Sequence, residues 1–522
     1  VIGGDSAIIR LGADGRIDDD QDNSTGISGR RLELTAGGGI GATGANEVRG
    51  LDTAVDVVTA SAKGEINLHD QDGLDVEKVT TTTGNVTLTS GAGDLRLGEV
   101  RTDGEGANIT LVAAGAIDAL NAADDTPELY ADQLALRAGA GIGRADQPLL
   151  IETGALEADA GNGGLYLLNQ NRDLTVGGVT PNLGLPGLTG LDANGDLHLA
   201  VADGAVTVNE NVTQTGEGDT WLTSGDDMTV NAGMQAAGDL DMQSGGNLTI
   251  NGQTLTADGN LMGLAEGDMT LAANSLLDAG HGLGFLAGGA ITATDSTLTS
   301  GTAGDLGEED INDLLLLTQS GDITLTRTTG TAAGGIQVGA GTGFAAIQPM
   351  GRIPSAPPVA SVTLANSTLE ALGDDLALRA TGDITLTPAS QATATENLSA
   401  SAGGNIALAQ GSGLTATAGA IDAEAGNRIA IADSAAHAGT SVSFDADQAD
   451  IAIDNGNVTA GTDLSLTAGT DVSAINGSRV DAGDDMVVTA GAGDITITNS
   501  ALTADGDLDL LAGGLIQLNT AT

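Results

Sequence analysis

The hydrophobic pattern of the chain is a short alternation that returns at a nearly fixed spacing. In residues 483–518, apolar and polar positions alternate in short runs that begin after Gly-Asp or Gly-rich turns. Alternation with a period of two places the apolar residues on one face of a β-strand. Met486 returns as Leu508, 22 positions later, and Ile495 returns as Ile516, 21 positions later. The pattern therefore predicts that the same strand recurs about every 22 residues, with other short strands between.

This period predicts the fold class. Runs this short, bounded by Gly and Asp, are typical of strands rather than helices. One coil of two or three such strands cannot bury its apolar face alone, whereas stacked coils bury it in ladders of equivalent residues. We therefore predict an all-β fold, a parallel β-helix or β-solenoid with coils of about 22 residues spaced ~4.8 Å apart. The usual crossover preference predicts right-handed coiling, and the length predicts a rod on the order of 110 Å.

The sequence also has a longer repeat, which contains several of the 22-residue coils. The segment LELTAGGGIG at residues 32–41 resembles LALRAGAGIG at residues 134–143, which begins 102 positions later. Further matches downstream extend the two copies to residues 32–76 and 134–176. We therefore predict a higher repeat of roughly 100 residues, several coils long.

Proline marks the clearest interruption of the pattern. Residues 343–358 contain four prolines, and proline cannot donate a hydrogen bond to a central strand ladder. The sequence therefore predicts a protruding loop at 343–358, between a solenoid segment at 1–342 and a second one at 359–522.

Composition agrees with a narrow, aliphatic interior. Glycine supplies 81 of the 522 residues and aromatic residues only 1%, far fewer than a globular core of this size normally uses. The chain has no cysteine, which removes disulfides and thiolate metal sites. The sequence has no run of 18 apolar residues, so it predicts no membrane-spanning helix. Because neither end has a recognisable cap, we expect a fragment or mature product of a longer protein.

The charge restricts the possible partners. There are 71 acidic and 17 basic residues, for a net charge of −54. This excludes nucleic acid as a natural partner, because phosphate binding needs clustered cations, and it disfavours anionic membranes. Unit charges ~4.8 Å apart repel by roughly 1 kcal/mol in water. We therefore expect the Asp-rich turns to attract salt and cations such as Ca²⁺ weakly, without a resident cofactor.

Some aspartates have a spacing that suggests calcium. Asp192, Asn194 and Asp196 have the 1, 3, 5 spacing that opens a calcium loop. However, Asp and Asn beside Gly are also common turn formers, and this interpretation is favoured. Two further clusters are interpreted in the same way: Asp18, Asp20 and Asp22, and Asp445, Asp447 and Asp450. We expect no dedicated metal site.

Catalytic patterns are weak. Glycoside cleavage uses a pair of carboxylates. Because the chain has so many aspartates, finding such a pair is little evidence for a glycosidase. The basic residues that an enzyme acting on acidic sugars would need are scattered: Arg327, Arg352, Arg379 and Arg428, with His69, His198, His281 and His437. We predict no catalytic and no cofactor-binding residues, and we predict that the protein is not an enzyme.

The repeats resemble those of a known family. The motifs GDITLT at residues 321–326, GGNIAL at 403–408 and AGAGDITIT at 490–498 look like the repeats of filamentous-haemagglutinin-type exoproteins. These are giant bacterial surface adhesins, many of them secreted by a two-partner route. The resemblance covers most of the chain and implies a right-handed β-helical shaft, export from the cell, and roles in adhesion or in biofilm and matrix cohesion. It implies no catalytic residues.

The sequence therefore predicts an extracellular structural protein: the rigid β-helical shaft of a secreted surface adhesin or filament, for attachment to cells or matrix. One alternative is a self-assembling fibre subunit whose copies stack end to end. A less favoured alternative is a solenoid that binds or cleaves polysaccharide. The expected partners are other copies of the chain or cell-surface and matrix components, with no nucleic acid and no membrane insertion.

Overall fold

A computed structural model describes residues 7–18, 26–41, 50–121, 126–181, 188–301, 313–341 and 359–520. In these ranges the regular structure consists of β-strands. No helix there is long and apolar enough to cross a membrane. The chain folds into two compact units, residues 1–246 and 247–522. The predicted loop at 343–358 lies wholly outside the described residues, so the predicted domain boundaries stay predictions.

The strands of the first unit are β1 (Ile8–Ala13), β2 (Ile27–Ala36), β3 (Leu51–Ala62), β4 (Ile66–Asp70), β5 (Leu74–Thr81), β6 (Val86–Ser90), β7 (Leu95–Thr102), β8 (Asn108–Ala113), β9 (Ile117–Ala119), β10 (Leu129–Tyr130), β11 (Gln133–Ala138), β12 (Leu149–Glu152), β13 (Ala155–Asp159), β14 (Leu165–Asn169), β15 (Leu174–Val176), β16 (Leu191–Ala193), β17 (Leu197–Val201), β18 (Val206–Val208), β19 (Val212–Gln214), β20 (Thr220–Ser224), β21 (Met228–Val230), β22 (Met234–Ala236) and β23 (Leu240–Ser244).

The coils of the first unit change along the chain. β1, β2 and β3 pair in parallel, each with the next, and β2 and β3 are long strands of 10 and 12 residues. The next coil meets β3 with two strands, β4 and β5, because a turn at Gln71–Gly73 divides it. From β14 onward each coil has three strands, so that β14 pairs with β17 and β17 with β20. The chain therefore moves from long strands to short ones separated by Gly-Asp turns.

The strands of the second unit are β24 (Leu248–Ile250), β25 (Thr254–Ala257), β26 (Leu261–Ala265), β27 (Met269–Leu271), β28 (Leu276–Ala279), β29 (Leu283–Ala287), β30 (Ile291–Thr294), β31 (Thr297–Ser300), β32 (Leu314–Thr318), β33 (Ile323–Thr326), β34 (Thr329–Ala332), β35 (Ile336–Ala340), β36 (Val362–Ala365), β37 (Thr368–Ala371), β38 (Leu376–Ala380), β39 (Ile384–Thr387), β40 (Gln391–Ala394), β41 (Leu398–Ala402), β42 (Ile406–Ala409), β43 (Gly413–Ala416), β44 (Ile421–Ala425), β45 (Ile429–Ala432), β46 (Ala435–Ala438), β47 (Val442–Ala446), β48 (Ile451–Asp454), β49 (Asn457–Ala460), β50 (Leu464–Ala468), β51 (Val472–Ile475), β52 (Arg479–Ala482), β53 (Met486–Ala490), β54 (Ile495–Thr498), β55 (Ala501–Ala504), β56 (Leu508–Ala512) and β57 (Ile516–Asn519).

The second unit repeats one coil design. A coil consists of three strands, as in β50, β51 and β52, and each strand pairs in parallel with its equivalent in the next coil. Met486 is the register partner of Leu508, and Ile495 is the register partner of Ile516. Both spacings are those of the hydrophobic pattern. The predicted parallel β-solenoid with coils of about 22 residues is thus confirmed, whereas its right-handedness stays a prediction.

The interior is made of aliphatic ladders, as predicted, but it also holds two phenylalanines. In one ladder of the second unit, Ile384, Ile406 and Ile429 are register partners and are at most 1% exposed. Phe285 and Phe444 are also buried, at 0% and 1% exposure. Each has a small register partner in the preceding coil, Gly263 for Phe285 and Ala423 for Phe444. A large ring fits where the adjacent coil leaves space.

Candidate functional site

The aspartates of the Gly-Asp turns form hydrogen-bonded ladders between coils. In the second unit, Asp471 Oδ1 accepts a hydrogen bond from the backbone N–H of Asp494 at 2.6 Å. Asp494 Oδ1 in turn accepts one from the N–H of Leu515 at 2.7 Å. Each carboxylate therefore satisfies a backbone donor of the next coil at a turn, where no strand pairing does so. This gives a structural reason for much of the acidic composition.

The aspartates with calcium-like spacing take part in such a ladder in the first unit. Asp196 Oδ1 accepts from the N–H of Asp219 at 3.2 Å, and its Oδ2 accepts from the hydroxyl of Tyr166 at 2.8 Å. Asp192 lies in β16, where burial and then the charge of Asp159 raise the pKa of its carboxyl group. The turn-forming interpretation accounts for the hydrogen bonds of Asp196 without a cation.

The residues of the other two aspartate clusters do not share one environment. Asp18 is described, whereas Asp20 and Asp22 lie outside the described residues. Burial, followed by the charges of Asp447 and Asp422, raises the pKa of Asp445. Asp450 instead forms an ion pair with Arg428 at 3.3 Å.

One group of acidic side chains in the described residues has the spacing of a cation site. Carboxylate oxygens of Asp374, Asp375 and Glu396 lie within 4.8 Å of one another, and all three residues are exposed. Asp375 Oδ1 already accepts hydrogen bonds from the backbone N–H and the side-chain amide of Asn397, at 2.8 and 3.0 Å. These three residues could hold a cation, and sequence reasoning did not single them out.

Three of the four histidines have separate side-chain partners, whereas for His281 the described bond is from its backbone N–H to Gly259 O at 3.0 Å. His69 Nδ1 lies 2.7 Å from Thr89 Oγ1, and His437 Nδ1 lies 2.6 Å from Thr459 Oγ1. His198 belongs to an aromatic stack in the first unit, with ring centroids 5.0 Å from Tyr166 and 4.0 Å from Trp221. Burial lowers the pKa of His198. The His198 ring therefore lies between those of Tyr166 and Trp221, its register partners on the two adjacent coils.

The basic residues singled out in the sequence are also scattered in the structure. Arg327 forms an ion pair with Asp295 at 2.5 Å, and Arg428 pairs with Asp450. Arg352 lies outside the described residues. Arg379 is exposed and lines a surface depression. None of these arginines is placed by a described contact beside a histidine of the set.

A repeated corner of the second unit was missed by sequence reasoning. Between the second and third strands of most coils, a residue with positive φ precedes a hydroxyl residue whose side chain is buried. Asn366 (φ 51°) precedes Ser367, and Asn499 (φ 49°) precedes Ser500. The Ser367 hydroxyl donates to a backbone carbonyl of its own or the preceding coil, Ala365 O at 3.0 Å or Leu325 O at 2.9 Å. Asn-Ser or Asp-Ser pairs at the coil spacing were the available signal.

A comparison with known protein families found a match in the coils of the second unit. The family model described as hemagglutinin repeat matches residues 317–475 and 470–522. Residues 317–522 are similar to hemagglutinin repeats. Both matches lie within the second unit, where the three-strand coil with its buried hydroxyl corner recurs. The resemblance predicted from GDITLT, GGNIAL and AGAGDITIT is thus confirmed. No match was found among curated proteins or among solved structures.

In the coils that match hemagglutinin repeats, the side chains described here pack inside the coils or form hydrogen bonds to the backbone. Their inward side chains are mostly aliphatic, and many turn carboxylates and corner hydroxyls are hydrogen-bonded to backbone groups. Hemagglutinin repeats are typically non-catalytic. What the arrangement provides is a stack of coils, each bonded along its length to the next.

Proposed function

We propose that the protein is the β-helical shaft of a secreted surface adhesin, which attaches its producing cell to other cells or to extracellular matrix. The observation that carries this proposal is the hemagglutinin-repeat match over coils that bond to one another through every strand. Such coils can be added without a change of fold, because each one contacts mainly its neighbours. A repeat of this kind suits a spacer that holds a binding element away from the cell.

Surface labelling tests the predicted location. Antibodies raised against the purified chain are applied to intact producing cells and to their culture medium, with an intracellular protein as the control for lysis. We expect the chain on the intact cells or in the medium, where added protease removes it. Detection only after the cells are broken would contradict the proposal.

Attachment tests the predicted role. Deletion of the gene is expected to lower attachment of the producing cells to a cell layer or a matrix-coated surface, and re-expression to restore it. Unchanged attachment would contradict an adhesin role. Electron microscopy of the purified chain separates the alternative: long filaments would favour a self-assembling fibre subunit over a shaft.

A further inference from the structure

The connection between β15 and β16 in the first unit is longer than the equivalent connection in the next coil. It comprises residues 177–190, whereas the connection between β18 and β19 comprises residues 209–211. Residues 182–187 lie outside the described part of the chain. Residues 177–180 form a strap that leaves the coil, and Gly190 marks the return to it.

The strap folds back over the preceding coils. Val179 donates its backbone N–H to Glu157 Oε1 at 2.8 Å, and Thr180 donates its N–H to Gln133 Oε1 at 3.3 Å. Thr180 O accepts a hydrogen bond from Asn108 Nδ2 at 2.5 Å. These three side chains belong to β13, β11 and β8, which pair with one another in succession. The strap therefore lies across the outer face of three successive coils.

Two glutamates hold the root of the strap from opposite sides. Glu157 lies on the preceding coil and accepts the bond from Val179, whereas Glu210 lies on the next coil, between β18 and β19. Glu210 Oε1 accepts from the N–H of Gly178 at 3.2 Å, and its Oε2 accepts from the N–H of Gly190 at 2.8 Å. Glu210 thus ties the start of the connection to its end.

The position of Glu210 depends on a glycine in the strap. Gly177 has a φ of 105°, and a Cβ atom added to it would lie 2.6 Å from Glu210 Cγ. Only glycine adopts this backbone conformation readily, and any side chain at residue 177 would displace Glu210. The glutamate is therefore packed into the root of the strap.

The carboxyl groups of Glu157 and Glu210 lie within hydrogen-bonding reach of each other. Glu157 is 2% exposed, and its buried Oε2 atom has no hydrogen-bond donor among the described residues. Two ionised carboxylates at this separation repel, whereas a carboxyl group that keeps its proton donates it to its neighbour. Burial, together with the charge of Glu210, raises the pKa of Glu157. A shared proton therefore satisfies the buried oxygen.

The charged residues on the strands that pair with β13 do not take the place of this proton. Arg137 on β11 forms an ion pair with Asp159 at 3.3 Å. Asp192 on β16 is the register partner of Asp159, and β15 carries no charged residue. Glu210 is thus the charged group that acts on Glu157.

We propose that Glu157 and Glu210 form a proton-operated clasp, in which one shared proton fastens the strap and the return at Gly190 to the neighbouring coils. When this proton leaves to solvent as pH rises, the two carboxylates repel and the backbone N–H groups at the root are released. The strap is fastened in mildly acidic medium and loosened in alkaline medium. The clasp goes beyond the shaft function, and its failure would leave that function intact.

Hydrogen–deuterium exchange of the full chain, measured by mass spectrometry, tests the clasp. Exchange of peptides that contain Val179 and Gly190 is corrected for the intrinsic effect of pH and compared between about pH 5 and about pH 8. We expect their protection to fall at least tenfold as pH rises. The N–H of Ala237 is the internal control, because it donates to the amide oxygen Gln214 Oε1 at 2.8 Å, which does not titrate. Its protection should change by less than twofold.

Glu157→Gln replaces the shared proton with a permanent donor. Its Nε2 can donate to Glu210 while its Oε1 still accepts from Val179, so protection should stay within twofold over the whole pH range. Glu152→Gln is the matched control: it removes one negative charge elsewhere in the first unit and should keep the pH dependence. Thermal melts check that the variants fold. If Glu157→Gln does not, Glu210→Gln takes its place, because its amide can donate to Glu157.

Two results would overturn the proposal. One is protection of Val179 and Gly190 that does not change with pH, or that changes equally in Glu157→Gln. The other comes from repeating the series with and without EDTA. If protection at about pH 8 is lost only when EDTA is present, a cation and not a proton neutralises the pair.

Discussion

Phe444 illustrates how single residues fit the interior of the second unit. In its ladder the register partners on the preceding coils are Ala400 and Ala423, and the partner on the next coil is Leu466. The aromatic ring therefore occupies volume that two small residues leave, and it is 1% exposed. Because protein interiors are close-packed, its loss would leave a cavity between coils.

We predict that Phe444→Ala lowers the free energy of unfolding of the second unit by about 3–5 kcal/mol. The lost contacts with both neighbouring coils and the resulting cavity contribute to this cost. Urea titration followed by circular dichroism measures it. Val487→Ala, at a residue 41% exposed, is the control and should change stability by less than about 0.5 kcal/mol.

The sequence predicted which residues point inward, but it did not predict how individual side chains pack. The alternation correctly places Met486 and Val488 inward, where both are 0% exposed. It predicts an aliphatic interior, but the position of Phe444 depends on the small residues that precede it at coil spacing. A pattern of apolar and polar positions does not carry residue volumes.

The corner between the second and third strands is the feature that repeats most closely at the element scale. In successive coils the residue before the buried hydroxyl adopts positive φ, including Asn366, Asp433 and Asn499. Asn and Asp tolerate this left-handed conformation better than most residues. At one corner the residue is Ala389, with φ 50°, and alanine bears the full steric penalty there.

We therefore predict that Ala389→Gly stabilises the second unit by about 0.5–1 kcal/mol, because glycine adopts positive φ without the clash of Cβ. Ala407→Gly is the matched control, since Ala407 lies within strand β42. There glycine should destabilise by about 0.5–1 kcal/mol. Equal effects of the two substitutions, measured by urea titration, would argue against strain at the corner.

Sequence reasoning predicted the strands and their spacing well, because both follow from alternation and turns. It did not predict the corner. The Asn-Ser and Asp-Ser pairs stand at the coil spacing, but their role becomes evident only when equivalent corners are stacked and the hydroxyl reaches a carbonyl of an earlier coil, as Ser367 does with Leu325 O.

Charge acts at the scale of the whole molecule, with a net charge of −54. Burial raises the pKa of several carboxyl groups: Asp70, Glu157, Asp192, Asp241 and Asp445. Their protonated forms are therefore favoured by folding. Ion pairing has the opposite effect on Glu77 beside Arg31 and on Asp132 beside Arg172, whose pKa values are lowered.

The pH dependence of stability follows from these directions. A carboxyl group with a raised pKa binds a proton in the folded state before it does in the unfolded state, so stability increases as pH falls through the folded pKa. A carboxyl group with a lowered pKa loses its stabilising contribution at pH values below its unfolded pKa, near pH 4. Protonation of His198, whose pKa burial lowers, costs stability below about pH 6.5.

We predict that Tm rises as pH falls through the raised folded-state pKa values of these carboxyl groups, because the folded state then binds protons that the unfolded state does not bind until its own carboxyl pKa near 4. Below about pH 4, Tm should fall again as Glu77 and Asp132 lose their charge. Thermal melts in buffers of constant ionic strength measure this. Asp70→Asn, at a carboxyl group that is 0% exposed, should reduce the rise, and a Tm that only falls from pH 7 downward would contradict the account.

Parallel coils that place residues 22 apart side by side are the central claim, and because the chain has no cysteine, cysteine pairs test it most directly. Ser465 and Val487 are register partners, ~4.8 Å apart and within disulfide range. Ser465→Cys with Val487→Cys should form a disulfide under mild oxidation, detected by mass spectrometry of the folded protein. The control pair, Ser465→Cys with Thr489→Cys, would be about 8 Å apart and should not. Equal cross-linking of both pairs, or cross-linking of the control pair alone, would contradict the stacked-coil account.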